Sequence, residues 1–216
     1  MKTLSIFWFR RDLRLDDNKG LYFALKENKK VLPIFIFDQE ILDNLPSDDS
    51  RVYFIFTQLK EMNNRLDENQ KIQTYHGKPI EIFKTLINKY DIKSVYTNHD
   101  YEPYGIKRDK DLYELLKINN IILKTYKDQV IFEKNEVTKD DGNPYKVFTP
   151  YYKKWMKIFN ESCLNTYPSQ SLLKNLLSDK NNWVELNDIG FIIPDLKIYP
   201  YNLNSSLISS YEFNRN

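Results

Sequence analysis

The stretch FWFRRDLRLDDNKGL, residues 7–21, decides how this chain is read. A continuous apolar run breaks into three arginines and three aspartates, and an amphipathic segment follows at once. Apolar residues in an unbroken short run, rather than in alternation, mark a strand covered on both faces. LSIFWF (4–9) is therefore the first of several such strands, with VLPIFIF (31–37), SVYTN (94–98) and IILKTY (121–126). A weaker, more alternating run, KIQTYH (71–76), supplies a fifth.

Helical periods lie between them. Leu21, Tyr22 and Leu25 form one apolar stripe, and Val52, Ile55, Leu59, Met62 and Leu66 form a second. Ile80, Phe83, Ile87 and Tyr90 form a third, and Ile106, Tyr113 and Leu116 a fourth. Each spacing is that of a helix resting on a sheet. Asp16 or Asp17 is expected to cap the first helix, Ser50 or a preceding aspartate the second, and Pro79 suits the first turn of the third. Strands and helices in strict alternation predict an α/β fold: a doubly wound, five-stranded parallel sheet of Rossmann-like type with right-handed crossovers.

After residue 127 the pattern changes. VIFEKNEVTKDDGNPYKVFTPYYKKWMKIF (130–159) predicts a short strand, an Asp-Gly/Asn-Pro turn and an aromatic helix starting near Thr149 and Pro150. Residues 166–216 are dominated by Ser, Asn, Leu, Pro and Tyr, with one helical stretch around SLLKNLL (171–177), and read as an extended linker over a surface. The expected division is thus an α/β domain over 1–130 and a connecting segment over 131–216.

Composition excludes several classes of function. Thirty-two Lys+Arg against thirty Asp+Glu leave a net charge of +2, so no global field draws the chain onto nucleic acid. The single Cys163 rules out an internal disulfide and suits a reducing, cytoplasmic setting. With only two histidines, far apart, a His/Cys zinc site is disfavoured. No apolar stretch approaches the ~20 residues a membrane span requires.

In a doubly wound sheet, ligands bind beyond the carboxyl ends of the strands, where the strand order reverses. Arg10 to Asp17, Asp38 to Glu40, His76 to Pro79 and His99 to Gly105 should meet there. The first segment has no glycine cradle of dinucleotide or P-loop type, which disfavours dehydrogenases and kinases. Arg10, Arg11 and Arg14 either grip an anion or pair with Asp12, Asp16 and Asp17 to pin the loop. In NHDYEPYGIKRD (98–109), Asp100, Glu102, Arg108 and Asp109 could orient a polar heterocycle between Tyr101 and Tyr104; the alternative is helix capping and intrahelical charge pairing. His99 reads as a hydrogen-bonded loop residue, Cys163 as part of a helix tail, and Lys153 to Lys157 as a solvated helix face.

Five segments together carry a resemblance: WFRRDLRLDDN (8–18), PIFIFD (33–38), the helix start at Arg51, YTNHDYEPYGIKRD (96–109) and GNPYKVFTPYYKKW (142–155). In this order they resemble the N-terminal antenna domain of the DNA photolyase/cryptochrome family, over roughly residues 1–160. The resemblance implies the N-terminal domain of a deoxyribodipyrimidine photolyase. In such a flavoenzyme, a reduced FAD in a separate helical domain uses light to repair pyrimidine dimers in UV-damaged DNA. It implies no catalytic residue in this chain and an FAD and DNA site outside it. The chain is thus expected to be a piece of a longer monomeric enzyme, inactive when isolated.

The domain would bind, or once have bound, a light-harvesting chromophore. Tyr104 and Gly105 stand where the folate-binding type has Asn-Glu, which disfavours folate. An antenna FMN or deazaflavin would then be held by Arg10, Phe35, Ile36, Phe37, Asp38, Arg51, Asp100 and Glu102. The same domain of a cryptochrome blue-light sensor, or a stand-alone nucleotide-binding module, are the alternatives.

Overall fold

A computed structural model describes residues 2–161, 165–178, 182–195 and 209–214. Its centre is a five-stranded sheet: β1 (Thr3–Phe9), β2 (Val31–Asp38), β3 (Gln73–Gly77), β4 (Asp91–Asn98) and β5 (Ile122–Tyr126). The order is β3-β2-β1-β4-β5 and every pairing is parallel. The chain winds outward from β1 to β3, then returns to the other side of β1 for β4 and β5. The reversal falls between β1 and β4, which fixes where the strand-end crevice opens.

Strand parity builds the two layers. Phe7 and Phe9 of β1, Phe35 and Phe37 of β2 and Tyr96 of β4 point to one face, packing on α1 (Lys19–Glu27) and on Val52, Phe56, Leu59 and Met62 of α3 (Ser50–Asn64). Ile6, Trp8, Ile34, Ile36 and Val95 point to the other, toward Phe83 and Leu86 of α4 (Pro79–Lys89) and Leu112 and Leu116 of α5 (Pro103–Ile118). A four-residue turn of helix, α2 (Gln39–Leu42), follows β2 directly and is capped by the Asp38 side chain.

The expected helices and strands form, with several corrections. The α1 cap is Asn18, whose side chain accepts from the Leu21 amide, not Asp16 or Asp17. Asp49 caps α3, and Pro79 opens α4. In α5 the expected stripe is right only at Leu116: Ile106 and Tyr113 are exposed, while Gly105, Arg108 and Leu112 are buried with Leu116. A buried arginine displaced the apparent apolar period. Residues 127–147 form turns without the expected strand, and α6 (Phe148–Glu161) begins one residue before Thr149. Cys163 lies outside the described residues.

The described part of the segment after 165 does more than lie on the surface. A 3-10 helix, Ser169–Asn175, packs on α1, and Leu176 bridges to Val31. Leu176, Leu186, Ile189 and Phe191 are buried in the α1/α3 core. Asn182 exchanges two hydrogen bonds with the backbone of Thr74, through its carbonyl (2.7 Å) and its Nδ2 (2.6 Å), which covers the free edge of β3. Among the described residues, no helix is long and apolar enough to cross a membrane.

Leu176→Ala should therefore behave as a core deletion and cost about 2–5 kcal/mol in urea unfolding. A cost within the ~0.5 kcal/mol of ordinary surface substitutions would show that this segment does not share the core.

Candidate functional site

Two polar networks fill the crevice, sorted by the same strand parity. Asn98, at the end of β4, shares the α1 face with Tyr96. Its Oδ1 accepts from the Gly20 amide (2.9 Å), and its Nδ2 donates to Asp12 Oδ2 (2.6 Å) and Asn18 Oδ1 (2.9 Å). Asp12 also accepts from the Arg10 amide (2.8 Å) and Asn18 Nδ2 (3.1 Å). Gly20 has to be glycine, because a Cβ there would lie 2.5 Å from Asn98 Oδ1.

The consequence falls on the start of α1. A helix N-terminus presents unpaired amides that bind phosphate in nucleotide-binding folds. Here the Lys19 amide donates to Asp128 Oδ1 (3.1 Å), Gly20 to Asn98 and Leu21 to Asn18 (3.1 Å). All three first-turn donors are satisfied by the protein itself. The missing glycine cradle is thus matched by an internally filled anion position.

The second network occupies the α5 face, where Arg10 continues the parity of Ile6 and Trp8, and Asp38 that of Ile34 and Ile36. Arg10 forks onto Asp109 (Nη1 to Oδ1 2.6 Å, to Oδ2 2.8 Å), and its Nη2 donates to the Asn98 carbonyl. Arg108 reaches Asp38 (3.6 Å), Asp100 (3.2 Å) and Asp109 (3.4 Å). Both guanidinium groups lie over the Trp8 ring, at 5.1 and 4.9 Å. Tyr104 Oη donates to Asp38 Oδ2 (2.8 Å). Gly105 permits this closeness, since a Cβ would sit 2.4 Å from Asp100 Cγ.

The two central carboxyls are tuned in opposite directions. Burial raises Asp38 above the usual aspartate value, against the opposing pull of the Tyr104 hydroxyl and Arg108. Asp100 is also buried, but the Glu102 amide and the charges of Arg10, Arg108 and Arg11 outweigh that and hold it low. Tyr104 is raised by burial and by Asp38.

The expected site residues divide accordingly. Arg10, Asp38 and Asp100 converge through Arg108 and Asp109. Ile36 lies on their side of the sheet, buried among apolar neighbours, while Phe35 and Phe37 lie on the other face, in T-shaped contact with each other (4.9 Å). Arg51 stands at the start of α3 with its side chain 73% exposed, folded onto its own cap Asp49 (2.6 Å). That pair lowers Asp49 to about 2. Glu102 is exposed and paired with Arg11 (2.5 Å).

The arginines of the opening stretch do not pin the loop through their neighbouring carboxylates. Arg10 pairs with Asp109, Arg11 with Glu102 and Arg14 with Asp128 (2.7 Å); only the Asp17 carbonyl, 2.8 Å from Arg14, is local. His99 is a loop residue, held by Glu133 and by Thr125 Oγ1 (3.0 Å). Lys153 and Lys157 are exposed, as expected of a solvated face. Asn98 and Asp128 escaped the sequence reading. Their only signal was position, a polar residue closing a buried strand and a carboxylate two residues past another. Beside them, a shallow groove of ≈ 390 Å³ runs along α5 and β5, lined in part by Asp100, Tyr101, Ile106 and Leu123.

Residues 5–170 match the family model described as DNA photolyase. A deoxyribodipyrimidine photo-lyase of Synechococcus sp. is 32% identical over 72% of this chain and 32% of its own length. Among solved structures, a class III photolyase from Agrobacterium tumefaciens superposes with a TM-score of 0.70 at 23% identity, over 87% of this chain and 38% of that one. An archaeal photolyase from Sulfolobus tokodaii, described with two FAD molecules and the implication of a novel light-harvesting cofactor, does so at 0.61 and 26% identity, over 86% and 42%. The chain thus spans about a third to two fifths of the length of these relatives.

Two substitutions separate the roles of the carboxyls. Asp38→Asn should be tolerated at pH 7, because a carboxyl raised by folding favours the fold only near and below its unfolded value of 3.8 and counts against it as pH rises. Asp100 is the reverse: its contribution is present above 3.8 and lost as pH falls through its lower folded value. Asp100→Asn should cost about 1–3 kcal/mol at pH 7 in urea unfolding, with the gap to the unsubstituted chain narrowing in acid. Asn98→Ala, which strands Asp12, Asn18 and the Gly20 amide together, should cost roughly 2–5 kcal/mol.

Proposed function

This chain belongs to the DNA photolyase family, and on that premise we propose that it is the light-harvesting α/β domain of a deoxyribodipyrimidine photolyase. The whole enzyme would repair UV-induced pyrimidine dimers in DNA, with its FAD and its DNA contacts in a helical domain that this chain does not supply. Residues 1–130 are the domain body in this reading, and 131–216 lead toward the helical domain.

The antenna chromophore is proposed to be FMN or a deazaflavin, held by Arg10, Phe35, Ile36, Phe37, Asp38, Arg51, Asp100 and Glu102. One observation carries this choice. The end of β2 combines a buried Asp38 carboxyl, raised by that burial, and the Tyr104 hydroxyl that donates to it with an arginine, Arg51, whose side chain is largely open to solvent at the start of the next described long helix. A flat ring with polar edges needs an in-plane hydrogen-bonding group and a cation able to stack on its face. When bound, such a ring supplies absorption of near-ultraviolet or blue light. The residues themselves would orient it, with Asp38 and Asp100 facing its polar edge and Arg51 turning from Asp49 to cover it. The Sulfolobus tokodaii relative, described with two FAD molecules and the implication of a novel light-harvesting cofactor, is consistent with a flavin in this role.

Adding FMN or a deazaflavin to the purified chain should shift the ligand's absorption and quench its fluorescence, and Arg51→Ala or Asp100→Ala should weaken binding by roughly tenfold or more, about 1.4 kcal/mol or above. If neither ring binds, or if both variants bind as the unsubstituted chain does, the antenna assignment fails. Repair is tested separately, on the enzyme that includes the helical domain: light-dependent loss of cyclobutane dimers from irradiated DNA is expected. Flavin photochemistry without repair would instead favour the cryptochrome reading.

A further inference from the structure

We infer that the aromatic face of α6 is the surface on which the helical domain docks, and that the domain meets it with an apolar groove rimmed by acidic side chains. The inference rests on that part of the reading above which gives the enzyme a helical domain. α6 is fourteen residues long and buries none of them. At ~3.6 residues per turn, Phe148, Tyr151, Tyr152, Trp155, Met156 and Phe159 fall on one arc of roughly 140°, with Lys153 and Lys157 on the opposite side. Two pairs one turn apart are stacked, Phe148 on Tyr152 (5.8 Å) and Trp155 on Phe159 (5.0 Å), yet Phe148 is 73% exposed and Tyr152 49%. Large apolar groups gathered on one open face mark an interaction surface, unlike single exposed residues.

The relatives say where the occupant comes from. The described segment after α6 packs on α1, bridges to Val31 and covers the edge of β3, leaving α6 open. The family match runs to residue 170 and so includes α6, while this chain spans 32% to 42% of the relatives compared, most of whose length lies outside the matched part. Charge gives the chemistry of the partner. Residues 142–160 hold four lysines and no acid, which an acidic rim complements. A nucleic-acid strand needs stacking rings and cations on one face, and here they lie on opposite ones. A bilayer surface would accept that segregation. However, α6 is moored to the body: Trp155 meets Phe132 edge-on (5.4 Å), in the loop whose Glu133 is held by Tyr101 and His99. A helix fixed in this way presents its face at a set angle, as a rigid docking partner requires.

Cross-linking tests this on the enzyme that includes the helical domain. A photoreactive benzoylphenylalanine in place of Tyr152 should cross-link to a peptide beyond residue 216, and one in place of Lys157 should not. Tyr152→Glu should leave the melting temperature of the 216-residue chain unchanged. In the enzyme it should speed proteolytic release of the helical domain by about tenfold or more. Cross-links confined to residues 1–216 or joining two copies would overturn the inference, as would capture of the chain by phosphatidylserine vesicles that Tyr152→Glu abolishes. Light-dependent dimer repair is measured on the same preparations. Repair with cross-links only inside residues 1–216 sinks the docking surface and leaves the photolyase reading intact; the expected cross-links without repair do the reverse.

Discussion

The carboxamide of Asn98 is the constraint on which the rest of the crevice depends. A planar group with one acceptor and two donors stands at the point where the sheet changes winding direction, and each is used on a different segment. Its acceptor fixes the second residue of α1, its donors fix Asp12 and Asn18, and its backbone carbonyl receives Arg10. β1, the loop after it, α1 and β4 are thereby held in one arrangement. A buried network of this sort is costly unless fully satisfied, and this one is satisfied. The close approach of Gly20 is part of the same bargain, since no side chain fits between helix and amide.

With the α1 amides consumed, charge at the crevice gathers on the α5 face. Arg10 and Arg108 meet Asp38, Asp100 and Asp109, two positive charges against three negative ones in a largely buried cluster. Buried ion pairs contribute little net stability, because desolvation offsets attraction. What they fix is geometry. The excess negative charge also explains why the carboxyls diverge: Asp100 sits among three arginines and stays ionised, while Asp38, with Arg108 at 3.6 Å and the neutral Tyr104 hydroxyl beside it, is the one that burial pulls upward.

Much of this was legible in residue order. Continuous apolar runs marked four strands and a weaker alternating run the fifth, and their alternation with helical periods implied parallel winding, because these signals come from local burial. Contacts across the fold were not legible in this way. Arg14 and Asp128 are 114 positions apart, and spacing pointed instead to Asp16 and Asp17 nearby. Asn18 won the helix cap because it alone is held by Asp12 and Asn98 as well as by its own helix. In α5, Arg108 stands on the buried face where the period needs an apolar residue, so the hydrophobic period picked out Leu116 correctly but Ile106 and Tyr113 on the exposed side. Leu176 and Phe191 looked like linker residues because the core they complete was built some 140 positions earlier.

Parity also constrains how any ring can sit at the end of β2. Successive side chains of a strand point to opposite faces. Phe35 and Phe37 are committed to the α1/α3 layer, and Ile36 and Asp38 to the α4/α5 layer. No flat ligand can rest against all four side chains from one side of the sheet. A ring that touches both groups has to lie across the top of the strand, beyond its last residue. There Asp38 and the α5 cluster supply polar groups, and Arg51, at the start of α3 with its side chain 73% exposed, supplies a cation. The arrangement favours a ring held by one edge and one face, with the sheet beneath serving as a floor.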